Sequence, residues 1–302
     1  MQHDAIVIGG SYAGLSAAIH IARARRSVCV IDAGAPRNRF ADASHGFFGQ
    51  DGDEPHAMLA KALAQLQRYP TVQIVADEAI RASAVAGGFE IELADREAHT
   101  AAKLVLAFGI CDVLPELPGL AERWGKSVLH CPYCHGFEYA GQRLGVLQTM
   151  PMSAHQALLI ADWGPTTLFL NRGDMPGAEA QASLARRGVV IEPAQIVALR
   201  GERTALSSLK LGDGREVAID ALYLAPRSTL NSPIAEQLGC ALDEGPFGPV
   251  IRTDAAKLTS VPGVYAAGDT ARAPHNASWA AADGVTAGIS LHQSLIFESL
   301  AA

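Results

Sequence analysis

Cys131 and Cys134, with Pro132 and Tyr133 between them, are the residues of this chain best suited to chemistry. Two cysteines at that spacing can close a small disulfide ring, in which one thiolate attacks a partner and the other resolves the mixed disulfide. His135 follows at once, and an imidazole titrates near neutral pH, where thiol exchange needs a proton carrier. The same pair also suits half of a zinc site, with His130 and His135 as flanking ligands, or a buried structural pair. The other cysteines, Cys29, Cys111 and Cys240, are scattered and offer no second close pair. The expectation is a redox dithiol at Cys131, Cys134 and His135, with no metal.

A redox dithiol needs an electron carrier, and the first residues of the chain supply a place for one. Ala5 to Ile8 reads as a short apolar strand, and Gly9-Gly10-Ser11-Tyr12-Ala13-Gly14 breaks it. A helix is expected from Ala13 to Arg25, then a strand from Val28 to Ile31 ending at Asp32. The spacing is that of a dinucleotide fingerprint with Ser11 at its second glycine position. Gly9 permits the tight turn and Gly14 the close helix–strand packing. Ser11 is small enough for a pyrophosphate to reach the helix N-terminus. Asp32 stands where a carboxylate accepts from ribose hydroxyls. Taken alone, the glycines would also suit a turn with no ligand. Near the other end, an apolar run from Val261 stops at Gly268-Asp269, where an Asp can reach a ribityl hydroxyl; taken alone, these residues read more readily as an ordinary turn. The run Lys103 to Gly109 adds a similar strand and glycine.

Strand–helix–strand units of this kind belong to parallel sheets with crossover helices. A second one spans Leu144–Leu147, Ala154–Ala161 and Thr167–Leu170. Pro-containing connectors near Asp112–Leu120 and Gly245–Pro249 separate it from the flanking segments. At 302 residues the chain has room for two domains. The fold class expected is α/β, with two three-layer nucleotide-binding (Rossmann-like) domains, the second inserted in the first. The net charge of −7 and dispersed basic residues argue against nucleic acid as a partner. No apolar run reaches the roughly 20 residues that span a bilayer, and the start lacks a signal-peptide pattern, so a cytoplasmic protein without membrane contact is expected.

With the fingerprint at Gly9–Gly14, the Cys131–Cys134 dithiol followed by Gly136-Phe137, and Gly268-Asp269, nearly the whole chain resembles the low-molecular-weight thioredoxin reductases. The resemblance implies an FAD-binding domain in two pieces, 1–114 and 246–302, around a central dithiol-bearing domain, 115–245, that is similar to a pyridine-nucleotide domain. It implies a homodimer, FAD held by Gly9, Ser11, Gly14, Asp32, Gly109, Gly268 and Asp269, and a dithiol or disulfide partner, either a small molecule or a thioredoxin-like protein. It also implies that Cys134 faces the flavin and Cys131 exchanges with the partner. His45 falls in a loop that the family brings near the flavin, and Asp283-Gly284 matches the family's helix start. His275-Asn276 stands where the family has Arg-Gln.

Two departures narrow the reading. The residue after the dithiol is usually Asp in thioredoxin reductases; Cys-Pro-Tyr-Cys-His is instead similar to FAD-dependent dithiol oxidases that close disulfides in sulfur-containing natural products. At the second nucleotide turn, Gln148 and Met150 replace the first two glycines and Ser153 the third, and Asn171-Arg172-Gly173 stands where a 2′-phosphate cluster belongs. NADPH is therefore a doubtful cofactor. The expected function is an FAD-dependent thiol–disulfide oxidoreductase acting as a dithiol oxidase. The alternatives are an NAD(P)H-dependent thioredoxin reductase, a reductase fed by ferredoxin or a flavoprotein, and a non-catalytic flavin redox sensor.

Overall fold

The computed structural model describes residues 2–301. β1 (Gln2–Ile8), α1 (Tyr12–Arg23) and β2 (Val28–Ile31) form the first unit. α1 stops short of the expected Arg25 because that residue turns into the left-handed region, at φ 64°. α2 (Pro55–Leu66) leads to β3 (Val72–Val75), and β4 (Ala79–Val85), β5 (Gly88–Leu93) and β6 (Ala98–Leu106) follow. These strands lie in the order β3-β2-β1-β6-β5-β4. The β3-β2-β1-β6 half is parallel, whereas β5 pairs antiparallel with both β6 and β4.

β7 (Ile110–Val113) then leaves this sheet. A second sheet is built from β8 (Val128–Leu129), β9 (Leu144–Leu147), β10 (Thr166–Phe169), β11 (Val190–Glu192) and β15 (Ala221–Tyr223), in the all-parallel order β11-β10-β9-β15-β8. The four-residue α3 (Pro132–His135) carries the dithiol, while α4 (Ser153–Ile160) and α5 (Ala178–Arg186) cross over between strands. β12 (Ile196–Arg200), β13 (Ser208–Leu211) and β14 (Glu216–Ala218) form an antiparallel meander beside it.

The chain returns through β16 (Arg227–Leu230), which pairs antiparallel with β7. α6 (Ile234–Gln237), the hairpin β17 (Leu242–Glu244) and β18 (Pro249–Ile251), β19 (Val264–Ala266) and α7 (Ala277–Ala301) complete it. β19 joins the first sheet, pairing parallel with Leu104–Leu106 of β6. The expected division at 245/246 falls inside the β17–β18 hairpin. Ile234, Ala235 and Cys240, on its central-domain side, pack with Ile6, Ile8, Cys29 and Ile31 under the first sheet.

The opposite face of the first sheet is covered by α1 and α7. Each fully buried aliphatic side chain there contributes about 1.5–3 kcal/mol of transfer free energy. Asp283-Gly284 does not begin the last helix. α7 starts at Ala277, where the Asn276 carboxamide oxygen accepts from the Ser278 N–H at 2.8 Å, a side-chain cap. Gly284 serves packing: a Cβ there would overlap the Ala13 carbonyl oxygen, so its absence lets α7 lie against the first turn of α1. Asp283 pairs instead with Lys257 at 2.7 Å.

Candidate active site

The glycine turn sits at the carboxyl end of β1, where open α/β sheets bind ligands. Gly9 has φ 108°, and a Cβ on it would overlap the Ala107 carbonyl oxygen. A Cβ on Gly14 would overlap the Gly9 carbonyl oxygen. Ser11 is the N-cap of α1, yet its side chain makes no capping bond and the first turn holds no acid of its own. The N-terminal amides of α1 therefore face outward without a competing anion from their own turn. Asp32 follows β2 and accepts the Gly10 N–H at 2.9 Å, tying the two strand ends together. Gly268 has φ 78°, and an added Cβ would sit 2.9 Å from Ala13 Cβ. The structure thus brings Gly9, Ser11, Gly14, Asp32, Gly268 and Asp269 to one end of the sheet. This cradle of bare backbone, open helix N-terminus and flanking carboxylates fits a dinucleotide such as FAD. Gly109, at φ 72°, lies in the turn after β6, whose backbone is bound by Asn231; no hydrogen bond joins it to the other predicted residues.

One group at this site escaped the sequence reading. Arg37 donates to Asp112 from Nε at 2.9 Å and Nη2 at 2.6 Å, and to Asp269 from Nη1 at 3.2 Å. Its Nη2 also lies 3.4 Å from His130 Nδ1, beside the dithiol. His130 packs edge-on against Phe247 and His275. Burial, reinforced by the Arg37 charge, holds both His130 and His275 down to about 4, so both imidazoles are neutral. Burial raises the Asp269 carboxyl and Arg37 opposes that rise. Asp269 is read at its own motif and His130 and His275 singly, but the residues come from positions 37, 112, 130, 247, 269 and 275, so no local motif announces them as a group.

The dithiol lies on the same side. Cys131 is the N-cap of α3, and both sulfurs are free thiols. The Cys134 S–H donates to the Cys131 sulfur, the Cys134 and Tyr133 N–H groups face it, and Arg37 adds positive potential. Together these outweigh burial and bring Cys131 down to about 7 from 9.0. Cys134 moves strongly upward because its proton is held by Cys131, with burial adding to the effect. The first proton lost therefore leaves a Cys131 thiolate. His135 is held below 6.5 by burial, opposed by Glu138 and aided by His45. The His45 ring meets the His135 ring edge-on at 6.3 Å, and His45 Nε2 lies 3.2 Å from Glu138. His45 thus bears on the dithiol segment, and Asp42 and Lys126, paired with each other, act on His135 through their opposite charges.

The second nucleotide turn is built differently. Ser153 Oγ accepts the Thr149 N–H at 3.2 Å and the Met150 N–H at 3.3 Å. Gln148 Nε2 donates to the Asp174 carbonyl at 2.9 Å, and Thr149 Oγ1 to the Ala225 carbonyl at 2.7 Å. Asn171 Oδ1 accepts the Ile196 N–H at 2.9 Å, while Arg172 is exposed.

Two nucleotide-type sheets with a polarised Cys-x-x-Cys pair beside a dinucleotide turn define a disulfide oxidoreductase. The chain belongs to the pyridine nucleotide-disulphide oxidoreductase family, whose profile matches residues 3–284, and is thioredoxin reductase-like. It is 35% identical to thioredoxin reductase tcpT of Claviceps purpurea, over 94% of this chain and 92% of that one. An oxidoreductase from Agrobacterium tumefaciens has the same fold with a TM-score of 0.94 at 44% identity, over 98% and 99% of the two chains. HlmI superposes with a TM-score of 0.93 at 34% identity, over 99% of this chain and 94% of that one.

Proposed function

We propose that this enzyme is an FAD-dependent dithiol oxidase that closes a disulfide in its substrate without drawing electrons from NADPH. The observation that carries this reading is the second nucleotide turn. The two amides that would grip a pyrophosphate are already bonded to Ser153 Oγ, and Met150 projects a side chain where the fingerprint has none. The domain division that best accords with the packing puts residues 234–302, rather than 246–302, with residues 1–114.

FAD held by Gly9, Ser11, Gly14, Asp32, Gly268 and Asp269 would supply an acceptor for the electron pair of the reduced dithiol, with oxygen proposed as the final acceptor. The protein residues carry the exchange. A substrate thiolate attacks Cys131 of the Cys131–Cys134 disulfide, forming a mixed disulfide and releasing Cys134, which takes up the proton lost by that first substrate thiol and can again donate to the Cys131 sulfur. The second substrate thiol, deprotonated by the neutral His135 imidazole, then attacks the substrate sulfur bonded to Cys131. The substrate disulfide forms and Cys131 departs. The substrate loses two electrons and two protons; the dithiol takes both electrons, Cys134 holds one proton and His135 the other, and Cys131 leaves as thiolate. The environment that brings Cys131 down to about 7 makes it a good leaving group in this second step. Cys134 is assigned to the flavin side by family resemblance. The test is aerobic turnover of a small dithiol by the purified protein: oxygen should be consumed in step with disulfide formed and without added nucleotide. Turnover that requires NADPH would overturn the proposal.

A further inference from the structure

A cluster of side chains with metal-ligand chemistry lies at the opposite end of the first sheet. His3 on β1, Cys29 on β2 and His99 on β6 each offer one ligand atom, and these three atoms lie within 4.8 Å of one another. Their strands are sheet neighbours: Ile6 pairs with Cys29, and His3 with Ala101, two residues beyond His99. Asp4 and Ala5 both donate to the Ser27 carbonyl, which ties the start of β1 to the residue before β2. His3 and Cys29 are buried, and the two imidazole rings stack with centroids 6.2 Å apart. His3 Nε2 and His99 Nε2 are both buried without a hydrogen-bond partner. Two orphaned ring nitrogens beside one thiol form a costly arrangement unless something accepts their lone pairs.

We infer that His3, Cys29 and His99 bind one Zn²⁺ ion that clasps the amino-terminal ends of β1, β2 and β6. The donor set of two imidazoles and one thiolate suits a borderline-soft cation; Ca²⁺ and Mg²⁺ require oxygen ligands. Tetrahedral bonds of about 2.0–2.3 Å need ligand atoms about 3.3–3.8 Å apart, so the cluster closes by small side-chain rotations. Glu97, whose Oε2 is 3.9 Å from His99 Nε2, stands within reach as a fourth ligand. Ligation as thiolate requires Cys29 to give up its proton on zinc uptake. His3 lies six residues before Gly9, or about 20 Å along an extended strand, which makes the site structural and separate from the redox centre.

The experiment uses untagged protein with its flavin and the substitutions Cys131→Ser and Cys134→Ser, which remove the competing dithiol. Equilibrium dialysis against Zn²⁺ should give one ion per chain, with one proton released, and Co²⁺ should give a thiolate charge-transfer band. Cys29→Val in that background should abolish the band, the stoichiometric zinc and the zinc-dependent rise in Tm, while flavin content stays unchanged. His99→Gln, at the rim, should weaken affinity by more than the roughly 10–100-fold expected for losing a second-shell partner. Absence of bound zinc, or equal binding after Cys29→Val, would overturn the site.

Discussion

Replacing Cys134 by Ala should raise the pKa of Cys131. The ordinary cysteine value is 9.0 and Cys131 stands at about 7, with the Cys134 S–H as the largest cause. At 1.36 kcal/mol per pH unit, that gap is about 2.7 kcal/mol in favour of the thiolate. A hydrogen bond to a charged group contributes roughly 1.5–3 kcal/mol, and S–H is a weak donor, so its loss should move Cys131 to about 8 or slightly above. The backbone amides and Arg37 remain and hold it below 9.0. At neutral pH the thiolate fraction would fall about fivefold. A thiolate of higher pKa is also more nucleophilic, by about threefold per pH unit, so a rate at one pH would fall only about twofold. The midpoint is therefore the quantity to measure. Iodoacetamide labelling of Cys131, followed by peptide mass spectrometry from about pH 5 to about pH 10, gives it directly. An unchanged midpoint in Cys134→Ala would refute the reasoning, as would preferential labelling of Cys134 in the parent.

Arg37→Met should strand Asp112 and Asp269 without their shared cation. Breaking such a pair costs about 3–5 kcal/mol, read as a lower denaturant midpoint, with a deficit that shrinks at acid pH as Asp269, which burial raises, takes up its proton. His135→Gln should slow dithiol turnover by about 10²–10⁴-fold. Because burial holds His135 below 6.5, the parent rate should fall as pH drops through that lowered value, and the variant should lack this step. Asp32→Ala frees the Gly10 N–H and should lower the flavin-to-protein ratio after gel filtration; release of FMN instead of FAD on denaturation would contradict the dinucleotide assignment.

The site was legible where chemistry follows from neighbours in the chain. Gly9, Gly14 and the Cys131–Cys134 pair each carry a requirement that spacing alone expresses, and β2, β9 and the start of the second crossover fall close to where hydrophobic pattern predicts them. Arg37, Asp112 and His130 were not legible as a group, because their contacts span dozens of residues and each is ordinary in its local context. The last helix was misread for a related reason: Gly284 signals close packing against Ala13, which only the fold discloses. The pairing of residues 234–242 with the first sheet likewise depends on tertiary burial rather than on the Pro-rich punctuation near Gly245.

The central claim is that electrons enter through the dithiol and not through NADPH. On the proposed reading, the Ser153-bound amides and Met150 at the second turn would forgo two charge-assisted hydrogen bonds to NADPH, worth about 3–6 kcal/mol or on the order of 10²–10⁴ in affinity. The direct test is anaerobic mixing of the oxidised holoenzyme with millimolar NADPH or, separately, with a small dithiol, followed by flavin absorbance. The account predicts that the dithiol bleaches the flavin and NADPH leaves it oxidised. Rapid bleaching by NADPH at micromolar half-saturation would contradict it and identify an NADPH-dependent reductase.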